Sequence, residues 1–220
     1  HRIIYASGYP RTVESGFLDK IVSSLADFNL SIHIKPYLID LYKEWYGKSA
    51  KGGVQILAEG AQGFGLDIDW GDYPFVTSSH CTTAGALLNG LPATAIRDVW
   101  GVAKIYETYV GSKKFQPEAQ VFDKMGDIGE EFGSTTGRRR QCNWMNMQTL
   151  ERAIRMNGVT HIVFNKVDVL RAVGEWAVID NGKVVKFKTE KAMNDFIVKR
   201  LKSLGISRNR VYFSESKERI

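Results

Sequence analysis

The sequence predicts an α/β fold, a mixed and largely parallel sheet flanked by helices, and three stretches carry that expectation. Residues 148–157 read as a helix that stops at Gly158 and leads into the apolar run 161–164, a helix feeding a buried strand. Residues 189–204, with Gly205 just past the end, read as a capped helix leading into a strand over 210–213. Between them, 176–180 and 183–187 flank Asn181-Gly182, where both residues tolerate positive φ and suit a tight hairpin turn.

From the amino terminus, Phe17, Leu18, Ile21, Val22, Leu25 and Phe28 recur at helical spacing, and Leu38, Leu41, Tyr42 and Trp45 mark a second amphipathic stretch. A polar, glycine-containing break over 48–53 precedes an apolar strand at 54–58. The run from Glu59 to Gly85 is too polar for core and too rich in glycine for a helix, the composition of a loop that binds something. Thr82 or Thr83 can cap a short helix reaching Leu88, and 100–110 alternates as a further strand. The 220 residues are expected to form a single domain, 1–220, the carboxyl-terminal portion of a longer chain: it begins at His1 without an initiator methionine.

Composition narrows the classes of function. A net charge of +6 admits anionic partners, but the basic residues are dispersed except for Arg138-Arg139-Arg140. That pattern suits a phosphate or carboxylate pocket better than a long nucleic-acid stripe, so no nucleic-acid partner is expected. Cys81 and Cys142 lack metal-ligand spacing, which argues against a zinc site or a disulfide framework. With no apolar run of bilayer length and no signal pattern, the expectation is a cytoplasmic protein without a membrane partner.

Three segments carry chemistry. In Asn165-Lys166-Val167-Asp168, after an apolar strand, the aspartate can accept from the ring N–H and exocyclic amine of guanine while the lysine stem covers the base. Adenine offers no such donor pair. The plainer alternative is a solvated helix start with Asp168 in its first turn. In Gly133-Ser134-Thr135-Thr136-Gly137-Arg138-Arg139-Arg140, small residues let backbone N–H groups approach an anion, hydroxyls donate to it and an arginine fork can clamp it; an exposed basic loop is the alternative. In Glu59-Gly60-Ala61-Gln62-Gly63, the Gln62 amide can donate to a carbonyl or oxyanion without carrying charge, or simply lie in water. Asp67 and Asp69 alternate around Ile68 on one face of an extended segment and are read as a satisfied structural network rather than metal ligands.

Taken together, "EGAQGFGLDIDWGDYPFVTSS", "EFGSTTGRRRQ" and "NKVDVL", in this order, resemble the adenylosuccinate synthetase family. The resemblance implies a fold related to GTP-binding folds and a GTP-dependent ligase that joins L-aspartate to IMP in purine biosynthesis, as a cytoplasmic homodimer using Mg2+. It implies that Gln62 contacts the purine 6-oxygen, Thr77 the nucleotide phosphate and Arg138 both IMP and aspartate. Ser134, Thr135 and Thr136 would help hold aspartate. Arg140, Lys166, Val167, Asp168, Ser214 and Ser216 would take GTP. Ser216 stands where the family usually has glycine, and Tyr109 where it usually has arginine.

The family's glycine-rich phosphate loop with its catalytic aspartate, and its later catalytic histidine, have no counterpart here. No general acid or base is therefore assigned, and the magnesium ligands are expected in that absent segment. Two alternatives stand beside this reading: a viral-type relative that joins aspartate to dGMP, and a noncatalytic nucleotide-binding remnant.

Overall fold

The computed structural model describes residues 56–133, 137–214 and 216. The chain divides into two compact units, His1–Ile96 and Arg97–Ile220. The helices expected over 17–28 and 38–45 lie outside the described residues, as do Val54 and Gln55 of the first expected strand. The rest of that strand does not form: residues 56–58 are irregular and Leu57 is 57% exposed.

The described part of the first unit is a folded loop. It contains a 3-10 turn at Phe64–Leu66, a short helix α1 at Ala84–Leu88 and a second 3-10 turn at Ala93–Ala95. Thr83 takes the N-cap position of α1 as expected, though its side chain makes no capping bond.

The second unit is the predicted α/β body. Its strands are β1 (Trp100–Lys104), β2 (Tyr106–Tyr109), β3 (Gln141–Asn146), β4 (His161–Asn165), β5 (Trp176–Asp180), β6 (Lys183–Phe187) and β7 (Val211–Phe213). One sheet runs in the order β1-β4-β7 with both pairs parallel. The other runs β2-β3-β5-β6, parallel between β3 and β5 and antiparallel at its two outer pairs. The β5–β6 hairpin turns on Asn181 (φ 49°) and Gly182 (φ 74°), the positive-φ pair read from the sequence.

The strand expected over 100–110 is two strands. Ile105 and Tyr106 are 0% and 1% exposed, and consecutive burial breaks the two-residue alternation of a half-exposed strand. The chain changes partner there: Lys104 lies opposite Asn165 of β4, whereas Tyr106 lies opposite Trp144 of β3. Ile105 bridges the change by donating its N–H to the Asn165 carbonyl at 3.0 Å.

Among the described residues, four α-helices complete the unit: α2 (Gln120–Ile128), α3 (Met147–Asn157), α4 (Val167–Val173) and α5 (Glu190–Ser203). Phe164, Leu170, Val178, Met193, Ile197 and Leu201 are among the fully buried core residues that join these helices to the strands. α5 opens on Thr189, whose hydroxyl accepts from the Ala192 N–H. Neither α2 nor β3 is legible in sequence. Gly126 interrupts the helical pattern of α2, yet a Cβ there would lie 3.2 Å from the Arg139 guanidinium. In β3, Gln141 and Asn143 are polar because they hold a neighbouring loop: the Gln141 side-chain oxygen accepts from the N–H groups of Phe115 and Gln116, and Asn143 donates to the Phe115 carbonyl. Cys81 and Cys142 are both free thiols. No helix among the described residues is long and apolar enough to cross a membrane.

Helix α3 gives a direct test of local capping. Asn146 accepts from the N–H groups of Gln148 and Thr149, and Gly158 closes the helix at φ 62°. Asn146→Ala should lower the unfolding free energy by about 1 kcal/mol, read by urea denaturation with an unchanged far-ultraviolet spectrum.

Candidate functional site

Parallel strands β4 and β7 end side by side, and the chain leaving them builds the first part of the site. Lys166 adopts φ 64° directly after β4 and forms the N-cap position of α4. Its ammonium donates to the Gly129 carbonyl at 2.8 Å. Asp168 lies in the first turn of α4 and is partly exposed, while Val167 is fully buried. Val167 thus packs in the core, and any ligand contact from it would come from its backbone. After β7, the Ser214 N–H donates to the Phe164 carbonyl at 2.7 Å and the Ser214 hydroxyl donates to the Ser216 carbonyl at 2.7 Å. Lys166, Asp168, Ser214 and Ser216 therefore gather beyond the carboxyl ends of adjacent parallel strands, where open α/β sheets bind ligands. Asn165 adds a buried side-chain oxygen with no partner among the described residues.

The three consecutive arginines do different work. Arg139 pairs outward with Asp127 at 2.5 Å and donates to the Asp123 carbonyl. Arg140 turns inward: its guanidinium donates to Glu131 at 3.1 Å, and its N–H donates to the Glu131 carbonyl at 2.8 Å. Arg138 is exposed. Ser134, Thr135 and Thr136 lie outside the described residues.

Glu131 itself is 1% exposed. Its carboxylate accepts from Lys104 at 2.7 Å and from the Tyr106 hydroxyl at 2.7 Å as well as from Arg140. Burial by itself pushes the Glu131 carboxyl up, but the bonds from Lys104 and Tyr106 and the charges of Lys104 and Lys166 outweigh it and hold the group below the usual range. Burial lowers Lys104, an effect that its bond to Glu131 only partly offsets. Burial and the bond to Glu131 keep Tyr106 protonated.

In the first unit the centre is Asp67, which is 0% exposed. One carboxylate oxygen accepts from the N–H groups of Asp69 and Trp70 at 3.0 and 2.9 Å, and the other from Cys81 at 2.6 Å. Burial raises its pKa, yet these three N–H groups and nearby His80 leave it below the ordinary value. Gly71 completes the turn, since a Cβ there would collide with the carbonyl oxygens of Asp67 and Gly65. Asp67 is thus the satisfied structural acceptor the sequence suggested. The expectation that Asp67 and Asp69 share one face of an extended segment is corrected, because the backbone turns between them and leaves the Asp69 side chain 62% exposed.

Asp67, Asp69 and His80 converge closely enough to suggest a cation site. Magnesium, however, asks for near-octahedral oxygen coordination, and this cluster offers one imidazole nitrogen, the exposed Asp69 carboxylate and an Asp67 carboxylate whose two oxygens already accept three N–H groups. With one nitrogen donor and one carboxylate already committed to the backbone, the cluster does not fit magnesium.

Gln62 is exposed and holds φ 65°, uncommon for a residue with a side chain. Its side-chain oxygen lies 2.8 Å from the Thr77 hydroxyl and 3.4 Å from the Cys81 thiol. The Thr77 hydroxyl, expected on a phosphate, lies 2.8 Å from the Gln62 oxygen and 3.0 Å from the Leu66 carbonyl. Cys81, Lys104, Tyr106 and Glu131 were not singled out from sequence. Only Glu131 leaves a trace there, as the acid that opens the run 131–141, two residues before Gly133.

A family model described as adenylosuccinate synthetase matches residues 9–202. The adenylosuccinate synthetase of Christiangramia forsetii is 47% identical over 131 residues, which cover 58% of this chain and 31% of that protein. That of Chlorobium phaeobacteroides is 37% identical over 181 residues, covering 79% of this chain and 41% of its own length. Among solved structures, fully ligated adenylosuccinate synthetase from Plasmodium falciparum matches with a TM-score of 0.64 at 26% identity, over 79% of this chain and 47% of that one. The succinoaminodeoxyadenylate synthetase of cyanophage S-2L, bound to dGMP and to dATP as an energy donor, shares the fold with a TM-score of 0.55 at 19% identity, over 81% of this chain and 48% of that one. The chain spans 31% to 41% of the length of these two curated relatives.

Removing the Glu131 carboxylate leaves the Lys104 charge and the Tyr106 hydroxyl without their buried partner. Glu131→Ala should cost about 3–5 kcal/mol of stability. Because the folded pKa is depressed, the stabilisation is complete above the unfolded value of about 4.3 and is lost as pH falls through the lower folded value. Urea unfolding across that acid range should show the slope in the parent, and Glu131→Gln should flatten it.

Proposed function

The chain belongs to the adenylosuccinate synthetase family, and from that premise we propose that the protein carrying it is a GTP-dependent ligase joining L-aspartate to IMP, forming adenylosuccinate, GDP and phosphate. The observation that carries the nucleotide half of this reading is the convergence of Lys166, Asp168 and Ser214 at the ends of β4 and β7. Asp168 is an acceptor suited to the paired donors of guanine, and leaving such a carboxylate unpaired costs about 1–3 kcal/mol or more. Lys166, anchored through Gly129, would lay its stem over the base. Ser214 and Ser216 would close the base edge. Arg140, held at its root by Glu131, would direct its remaining donors to GTP.

In this reading N1 of IMP gives up its proton to a base that is not among the residues assigned here, the γ-phosphoryl group of GTP passes to the 6-oxygen, and GDP is released. The amine of aspartate then bonds to C6, phosphate leaves with the C–O bond electrons, and the amine gives up a proton. The Gln62 amide would donate to the 6-oxygen as negative charge gathers there. Arg138, with Ser134, Thr135 and Thr136, would hold aspartate, its planar fork matching a carboxylate. The names of the curated relatives favour IMP over dGMP as the acceptor. A cytoplasmic homodimer accompanies the same reading.

The test is turnover by the intact protein with GTP and L-aspartate, comparing IMP with dGMP and following the aspartate-linked nucleotide product of each by chromatography. Product from IMP alone is expected; product from dGMP alone points to the viral-type reaction, and binding without product from either points to a noncatalytic domain.

The base assignment is tested separately. Asp168→Asn should weaken GTP binding roughly ten- to a hundredfold while leaving IMP binding unchanged, as measured by calorimetry with each nucleotide. Equal loss for both would remove Asp168 from the guanine site.

A further inference from the structure

One phenol stands behind two of the candidate GTP residues. Tyr106 opens β2, is 1% exposed, and donates its hydroxyl to one oxygen of Glu131 at 2.7 Å. Lys104 donates to the other oxygen at 2.7 Å and is itself tied to the Thr108 hydroxyl at 2.9 Å. A donor on each oxygen holds the carboxylate against rotation, and the second oxygen keeps a lone pair that accepts from Arg140 at 3.1 Å.

The same hydroxyl shapes the backbone. A Cβ on Gly129 would stand 2.5 Å from it, so the phenol fills the space that a side chain would take in the turn 129–131. That turn holds two cations. The Gly129 carbonyl accepts from the Lys166 ammonium at 2.8 Å, and Glu131 holds Arg140 twice, by its carboxylate and by its carbonyl, which accepts the Arg140 N–H at 2.8 Å. Phe132 pairs antiparallel with Arg139 just beyond. Arg140 is thus fixed at its backbone and at one guanidinium nitrogen while its side chain stays 32% exposed. Burial and the bond to Glu131 push the Tyr106 phenol up, so it keeps its proton and remains a donor.

We propose that Tyr106, too buried to meet a ligand itself, is a positioning residue for GTP: its hydroxyl aligns Glu131 and the 129–131 turn, which hold Arg140 and Lys166 in place ahead of nucleotide binding. The inference rests on the reading of Arg140 and Lys166 as GTP contacts. A long cation loses rotamer freedom when it meets its ligand. An anchored cation has lost it already, so releasing the anchor weakens binding although no contact to the ligand is removed. Gln62 and Thr77, read as IMP contacts, are bonded within their own loop, and IMP is the internal control.

The test uses the intact protein and isothermal calorimetry with each nucleotide. Tyr106→Phe, which removes only the hydroxyl, should weaken GTP roughly five- to tenfold and leave IMP unchanged. In an Arg140→Ala background the same substitution should cost less, since one of the cations it steadies is gone. A lower melting temperature with the parent's GTP-to-IMP affinity ratio overturns the proposal, and so does an equal penalty with and without Arg140. If Tyr106→Phe does not fold, Glu131→Gln, which keeps the shape and loses the charge, should lower the same ratio, and a parent-like ratio there overturns the proposal equally. A second measurement needs no ligand: nitrogen relaxation of the Arg140 Nε–H, assigned by its loss in Arg140→Lys, should report a rigid side chain in the parent and a mobile one in Tyr106→Phe. An unchanged side chain overturns the positioning role even if no nucleotide binds. A loosened side chain, with GTP bound equally by the parent and Arg140→Ala, keeps the anchoring and removes Arg140 from the GTP site.

Discussion

A single buried carboxylate organises the second unit. Glu131 sits in the turn after α2 and gathers Lys104 from the end of β1, Tyr106 from the start of β2 and Arg140 from the approach to β3. These residues bracket the point where the chain passes from one sheet to the other at Ile105. An ion buried this far is tolerated only when its lone pairs are filled, and each filler here comes from a different segment. The same turn supplies the Gly129 carbonyl that tethers Lys166. Gly129 must lack a side chain, because a Cβ would stand 2.5 Å from the Tyr106 hydroxyl.

That turn therefore couples the base end of the candidate GTP site to its arginine. Lys166 is secured by a backbone carbonyl and Arg140 by a carboxylate two residues further along. Positioning of this kind reduces the freedom that a flexible cation would lose on meeting its ligand. It also explains why three adjacent arginines are not equivalent: Arg139 pairs with an acid on the surface of α2, while Arg140 roots in the interior.

The loop of the first unit solves a different problem with similar means. It has little regular structure, so its backbone donors need acceptors from elsewhere. Asp67 takes three of them, and its burial makes it the pin around which residues 67–81 turn. With the backbone fixed this way, the side chains of Gln62, Thr77 and Cys81 form a small donor–acceptor cluster of their own. A polar, glycine-rich sequence can thus hold a defined shape without an apolar core.

What the sequence determined by itself is what local physics decides. The α3 helix ending at Gly158, the Asn181-Gly182 hairpin and the Thr189-capped α5 each follow from residues adjacent in the chain, because caps and turns need only nearby φ/ψ preferences and hydrogen bonds. The segments of the candidate site were legible for a similar reason, each being a short run of chemically specialised residues. Tertiary structure decided which of those residues meet and what they are bonded to. Nothing local buries Glu131 while leaving Glu130 before it exposed, or makes Cys81 a partner of Gln62 nineteen residues away. The division of 100–110 into two strands was equally hidden, since alternation within a segment reports its own faces but not which partner strand each half will find. Those outcomes depend on desolvation and on donors brought from distant segments, and both exist only once the chain has closed around them.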